Sequence, residues 1–80
     1  MSSTTVDVQP HGIVEIFRHV LETHDVTDES NFFDVGGDSL LATRVLSAIA
    51  RTYDVELTFD DFVIAPSPGA LAMLVGSQPR

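Results

Sequence analysis

Asn31-Phe32-Phe33-Asp34-Val35-Gly36-Gly37-Asp38-Ser39-Leu40-Leu41 places two aromatics, a glycine pair and one serine immediately ahead of a helical pattern. Gly36 and Gly37 let the backbone turn sharply and leave the surface open. Asp38 is a good helix N-cap, with a carboxylate able to accept from the amides of the first turn. Ser39 then takes the first helical position, where free amides and the helix dipole favour an anion. A phosphodiester on Ser39 would be well placed there. Capping chemistry alone also accounts for the Asp38-Ser39 pair, as an ordinary helix start.

Outward from this stretch the chain reads as helices. The helix opened by Ser39 runs to about Tyr53. At 100° per residue Leu41, Ala42, Val45, Ile49 and Tyr53 share one face, and Thr43, Arg44, Ser47 and Arg51 the opposite one. Leu40 falls on the polar face beside Ser39, which points to a partner contact. Downstream, Thr58 caps a short helix from Phe59 to about Ile64, with Asp60 and Asp61 in its favourable first turn. Pro66 stops it. Ser67-Pro68 opens another helix, with Ala70, Leu71, Met73, Leu74 and Val75 as its apolar residues and Gly76 at its end. Upstream, Pro10 suits a first helical turn. Ile13, Val14, Ile16, Phe17, Val20 and Leu21 recur there at helical spacing, with His11, Glu15, Arg18, His19 and Glu22 on the other side. Gly12 weakens that first turn by about 1 kcal/mol relative to alanine.

Between the first two long helices lies a 14-residue connection, Asp25 to Asp38. A loop of this length has a function or internal structure. Phe32 and Phe33 are expected to pin it to the core, and Ser30 to cap a short turn. No segment alternates with period two, so strands are not expected. The predicted fold is all-α, a small four-helix bundle of three main helices plus a short third one. One domain is expected over residues 1–80, with an ordered core at about 10–76 and flexible ends at 1–8 and 77–80.

Composition narrows the function. Eighty residues make one domain, and 44% hydrophobic residues suffice for a small core. Without cysteine the chain has neither disulfides nor thiolate metal sites. No run of about 18 apolar residues spans a membrane. Met1-Ser2-Ser3-Thr4-Thr5 has neither the basic start nor the apolar stretch of a secretory signal. A soluble, cytoplasmic protein is the expectation. Twelve acidic residues oppose four arginines, no lysine is present, and the net charge is −8. Between His19 and Thr43 histidine is the only basic residue type, while Glu22, Asp25, Asp28, Glu29, Asp34 and Asp38 all fall there. Such a surface repels phosphate backbones, which argues against nucleic acid as a partner. It serves either solubility or docking to basic partners.

Ser39 does not read as a nucleophile acting alone. A nucleophile elbow needs Gly-x-Ser-x-Gly, and this chain has Gly37-Asp38-Ser39-Leu40-Leu41. A triad needs a positioned histidine, but His11 and His19 fall on the outer face of the first helix and His24 at its end. The three histidines do not make a spaced metal motif. Asp25, Asp28 and Glu29 miss the spacing of a calcium loop. Gly36-Gly37 is too short for a nucleotide-phosphate loop. A serine that is modified fits better than one that attacks.

Over about residues 10 to 76 the chain resembles a peptidyl carrier (thiolation) domain of nonribosomal peptide synthesis. The resemblance rests on Asn31 to Leu40 followed by Ala42-Thr43-Arg44, with Ala65-Pro66-Ser67 leading into Leu71-Ala72. Acyl carriers of fatty-acid and polyketide synthesis share the Asp-Ser-Leu centre. The two phenylalanines and Gly-Gly favour the peptidyl type. The resemblance implies an acyl-carrier-protein-like bundle. It also implies that Ser39 receives 4′-phosphopantetheine from coenzyme A through a phosphopantetheinyl transferase. The thiol of that arm would hold aminoacyl or peptidyl groups as thioesters, carried between an adenylation enzyme, condensation or tailoring enzymes and a thioesterase. The carrier itself would perform no catalysis. Gly37, Asp38, Leu40, Arg44, Val63 and Ile64 are implied as the docking face. Val63 stands where the family often has an aromatic, three residues before Pro66, with Phe62 one place earlier. A free-standing monomer is expected. Two alternatives stay open: an acyl carrier of a polyketide or fatty-acid pathway, and an unmodified helical adaptor acting through its acidic face.

Overall fold

Four local signals start the four helices of the computed structural model, which describes residues 9–77. Pro10 occupies the first position of α1 (Pro10–Leu21), where its missing N–H costs no hydrogen bond. Asp38 caps α2 (Ser39–Tyr53) by accepting from the Leu41 N–H. Thr58 and Asp61 form a reciprocal capping box at α3 (Phe59–Ile64), with bonds of 3.1 and 3.0 Å. Ser67 Oγ accepts from the Ala70 N–H to open α4 (Pro68–Gly76), with Pro68 again in the first turn. The two long helices end alike, at a residue in the left-handed region: Glu22 at φ 55° and Asp54 at φ 58°. Ser77 closes α4, its N–H reaching the Met73 and Leu74 carbonyls. The all-α, four-helix expectation is met, the short helix included. Of the ends expected to be flexible, 1–8 and 77–80, all but Ser77, which caps α4, lie outside the described residues.

α1 packs against α2 and α4, and α3 against α2. Ile13 and Phe17 of α1, Ala42, Val45 and Ile49 of α2, Phe62 of α3 and Leu71 of α4 are fully buried between them. At the centre, Phe17, Phe32 and Phe62 meet with ring centroids 4.9 to 6.1 Å apart. Two of these contacts are edge-to-face, the arrangement that aromatic quadrupoles favour. Each ring removed from water contributes about 2–3 kcal/mol.

Phe32 belongs to the long connection between α1 and α2, so this loop enters the core. Backbone bonds hold it there. The Phe32 N–H donates to the Pro66 carbonyl at 2.7 Å, and the Gly69 N–H to the Asp28 carbonyl at 2.8 Å. A Cβ at residue 69 would stand 2.9 Å from that Asp28 oxygen, so glycine is what permits the approach. Arg18 adds a third tie, donating to the Val26 carbonyl at 3.2 Å while pairing with Glu15 at 3.0 Å. The loop is thereby fastened to α1 and to the start of α4. Ser30 closes a turn inside it, its Oγ accepting from the Thr27 N–H.

Four residues sit differently from the sequence reading. Arg18, assigned to the outer face, is half-buried because its guanidinium reaches back to Val26. Leu41, assigned to the core face, is only half-buried at the end of α2. Phe33 packs on Phe32 and Phe62 yet stays 38% exposed. Gly12, which periodicity marks only as a weak point, faces Tyr53 across the helix pair; a Cβ there would lie 2.2 Å from the tyrosine hydroxyl.

Candidate functional site

The Gly36–Leu40 segment is shaped by two glycines that do different jobs. Gly36 sits at φ +104°, a conformation side chains resist, and a Cβ added there would meet nothing within 4 Å. Gly37 has an ordinary φ but lies against the Phe32 ring, 2.2 Å from where its Cβ would stand. The Gly37 N–H also donates to the Phe32 carbonyl at 2.9 Å. One glycine therefore turns the chain into open space, and the other lets the buried phenylalanine approach beneath it.

Asp38 then fixes the helix start. Its Oδ1 accepts from the Leu41 N–H at 2.9 Å, and its carbonyl from the Ala42 N–H at 2.8 Å. Ser39 follows as the first residue of α2, exposed, with its carbonyl held by the Thr43 hydroxyl at 3.1 Å. The Ser39 hydroxyl has no hydrogen-bond partner among the described residues. The Ser39 and Leu40 amides have none within the helix, as its geometry requires. These amides and the dipole of a 15-residue helix favour an anion beside Ser39.

The structure places the other sequence-selected residues in three groups. Gly37, Asp38 and Leu40 surround Ser39, and Leu40 is 66% exposed although it is a leucine in a helix. Val63 and Ile64 are exposed on α3, which packs against α2. Arg44 stands apart from that group, in a groove between α1 and α2 lined also by Glu15, Ile16, His19, Ala48 and Arg51. Sequence reasoning did not anticipate this groove. Its signal was the seven-residue spacing of Glu15 and Glu22 on α1 against Arg44 and Arg51 on α2. Phe59 is a further exposed apolar side chain, and Met73, expected on the apolar side of α4, is 78% exposed.

Among the described residues, no group of three or more histidine or acidic side chains could hold a metal ion. His11, His19 and His24 are all exposed. No described helix is long and apolar enough to cross a membrane. The site combines an exposed hydroxyl on a capped helix start, an anion-favouring environment and open space beside it.

A family model described as a phosphopantetheine attachment site matches residues 11–75. The chain is 41% identical over 63 residues to the probable nonribosomal peptide synthetase CymA of Salinispora arenicola, covering 79% of this chain and 1% of that protein. It is 34% identical over 73 residues to pyochelin synthetase PchE of Pseudomonas aeruginosa, covering 91% and 5%. The chain thus spans only a few per cent of the length of these relatives. Its fold is similar to a chain in the structure of the phosphopantetheine transferase Sfp in complex with coenzyme A and a peptidyl carrier protein. That match has a TM-score of 0.83 and 29% identity, covering 98% of this chain and 99% of the other. An active-site mutant peptidyl carrier protein solved in solution matches with a TM-score of 0.80 and 30% identity, covering 92% and 86%.

Fold and site together define a carrier domain. The chain belongs to the phosphopantetheine-attachment family, as a carrier of the kind found in nonribosomal peptide synthesis. The group that goes with the family is 4′-phosphopantetheine.

Proposed function

We propose that residues 1–80 form a single carrier domain whose Ser39 is the attachment point for 4′-phosphopantetheine. The supporting observation is the Ser39 hydroxyl itself: exposed, unpartnered, and set at the N-terminus of α2 beside the open space of Gly36. Ser39 Oγ forms the new phosphoester while the pyrophosphate bond of coenzyme A breaks and the nucleotide leaves. The proton goes to a base on a separate phosphopantetheinyl transferase, since Ser39 has no base of its own. The free first-turn amides of α2 would supply hydrogen-bond donors to the phosphodiester. When bound, the group supplies a terminal thiol that holds an acyl group as a thioester, which suits a chain without cysteine.

On this reading the domain is a monomeric cytoplasmic carrier without catalysis of its own. It presents aminoacyl or peptidyl cargo to an adenylation enzyme, condensation or tailoring enzymes and a thioesterase. Leu40, Val63 and Ile64 give the docking surface its exposed apolar side chains on α2 and α3, and Gly37 and Asp38 the loop just ahead of Ser39. Arg44 extends it along α2.

The test is stepwise loading. Conversion by a transferase with coenzyme A should be followed by acceptance of an amino acid from an adenylation enzyme with ATP. Acceptance of malonyl or fatty acyl groups alone would assign the domain to an acyl-carrier pathway. Full pathway activity of a Ser39→Ala variant would make it an unmodified adaptor.

A further inference from the structure

The groove between α1 and α2 has two charged walls that do not meet. It encloses about 430 Å³ over an apolar floor of Ile16, Val20 and Ala48, all half-buried. Glu15 and Glu22 line its α1 side, with His19 between them, and Arg44 and Arg51 line its α2 side. Seven residues are nearly two helical turns, so each pair stays within about 20° around its helix and about 10 Å apart along the axis. α1 and α2 run in opposite directions, since Gly12 at the start of α1 meets Tyr53 at the end of α2. Counted from that contact, Glu15 is three residues on and Arg51 two back, while Glu22 is ten on and Arg44 nine back. The walls are thus in register, an acidic one beside a basic one. Among the described residues no ion pair bridges them, and Glu15 pairs instead with Arg18 on its own helix. Two of the four arginines of a lysine-free chain stand in the one wall, which makes it a local exception to the acidic surface.

We propose that this groove docks an amphipathic helix of a partner protein, one whose apolar stripe has acidic residues on one flank and basic residues on the other. Its apolar side chains, recurring at helical spacing, would rest on Ile16, Val20 and Ala48. The acidic flank would meet Arg44 and Arg51, and the basic flank Glu15 and Glu22. A seven-residue repeat on the partner would match the spacing of both walls. The walls also fix direction. Turning a helix end for end in the groove exchanges its flanks, so only one direction pairs every charge. A helix with both flanks of one sign would be repelled by one wall. The proposal goes beyond attachment at Ser39 and does not depend on it: Arg44 and Arg51 lie about 140° and 120° around α2 from Ser39. Leu40 stands about 40° from Arg44 and one turn before it, so the groove leads at that end to an exposed leucine.

The experiment follows amide chemical shifts of the whole, unmodified chain as synthetic helical peptides are added. One peptide carries a leucine-alanine stripe, glutamates on one flank and lysines on the other, each at seven-residue spacing, with a spin label at its N-terminus. A second has the two flanks exchanged. Both should shift Ile16, His19, Val20, Ala48 and Arg51. The label should broaden signals near Glu22 and Arg44 with one peptide, and near Glu15 and Arg51 with the other. Peptides with both flanks of glutamate, or both of lysine, should bind about tenfold more weakly. Arg51→Gln should weaken the mixed peptides about threefold, with circular dichroism reporting intact helices. No shift at the groove, or the same end broadened by both peptides, would overturn the proposal. So would tighter binding of the all-lysine peptide, which would make the net charge the attraction. Shifts at these residues that grow with protein concentration, without peptide, would overturn it too and give the groove to a second copy of this chain.

Discussion

Ser39 is set by its neighbours more than by itself. Asp38 holds the first turn, Gly36 opens the space and Gly37 admits the Phe32 ring. The two glycines should respond differently to substitution. Gly36→Ala strains a left-handed backbone and should cost about 1–2 kcal/mol. Gly37→Ala drives a methyl into Phe32 and should cost about 1–3 kcal/mol by overpacking. In a Phe32→Leu background the Gly37 penalty should shrink while the Gly36 penalty stays, which thermal melts of the double-mutant set would reveal. Leu40 gives a second prediction. At 66% exposure, Leu40→Ala should leave the melting temperature nearly unchanged and slow transferase modification or loading. A large fall in melting temperature would instead mean that Leu40 supports the fold. The role of Asp38 was readable from the sequence because a cap acts within four residues. The reason for Gly37 was not: it depends on a ring brought underneath by the path of the loop, which no local pattern encodes.

Helix boundaries in this chain are written in short-range chemistry, and the sequence yields them closely. Pro10, Asp38, Thr58 and Ser67-Pro68 each start an element through groups three or fewer residues away. What joins the elements is less legible. Gly12 reads as a weak point in α1, yet it makes room for Tyr53 at the far end of α2. Removing the tyrosine hydroxyl leaves the nearest ring carbon 3.5 Å from a Cβ at residue 12, an ordinary contact. Gly12→Ala should therefore destabilise the native chain but stabilise a Tyr53→Phe chain by up to about 1 kcal/mol through helix propensity. Burial also raises the Tyr53 pKa above its usual 10.0. The folded state then holds this proton more tightly than the unfolded state. Its contribution to stability is complete below about pH 10 and declines as pH rises through the folded value. Tyr53→Phe should lessen that alkaline loss in pH-dependent melts. On the core face of α2, Ile49→Ala should cost about 2–5 kcal/mol, as a full burial. Leu41→Ala should cost about half as much, because periodicity assigns it to the core while its place in the first turn of α2 leaves it half-buried.

Taken whole, the molecule is a small core with an ordered loop built into it. The loop from α1 to α2 looked long for a structureless connection, and it is not structureless. Phe32 fills the centre, while Arg18, Pro66 and Gly69 hold the backbone in place. Its bonds to Pro66 and Gly69 join residues 34 and 41 positions apart, beyond the reach of sequence pattern. A domain of this size has a net stability on the order of 5–10 kcal/mol, so these ties matter to whether Ser39 is presented on a fixed frame. The net charge of −8 adds a field that attracts basic surfaces and keeps carriers apart. The central claim is that this frame exists to present Ser39 for modification. Peptide-level mass mapping after treatment with a phosphopantetheinyl transferase and coenzyme A tests it most directly. The account predicts one phosphopantetheine per chain, located on Ser39, and none on Ser39→Ala. An unmodified wild-type chain, or a variant modified as well as the wild type, would contradict it.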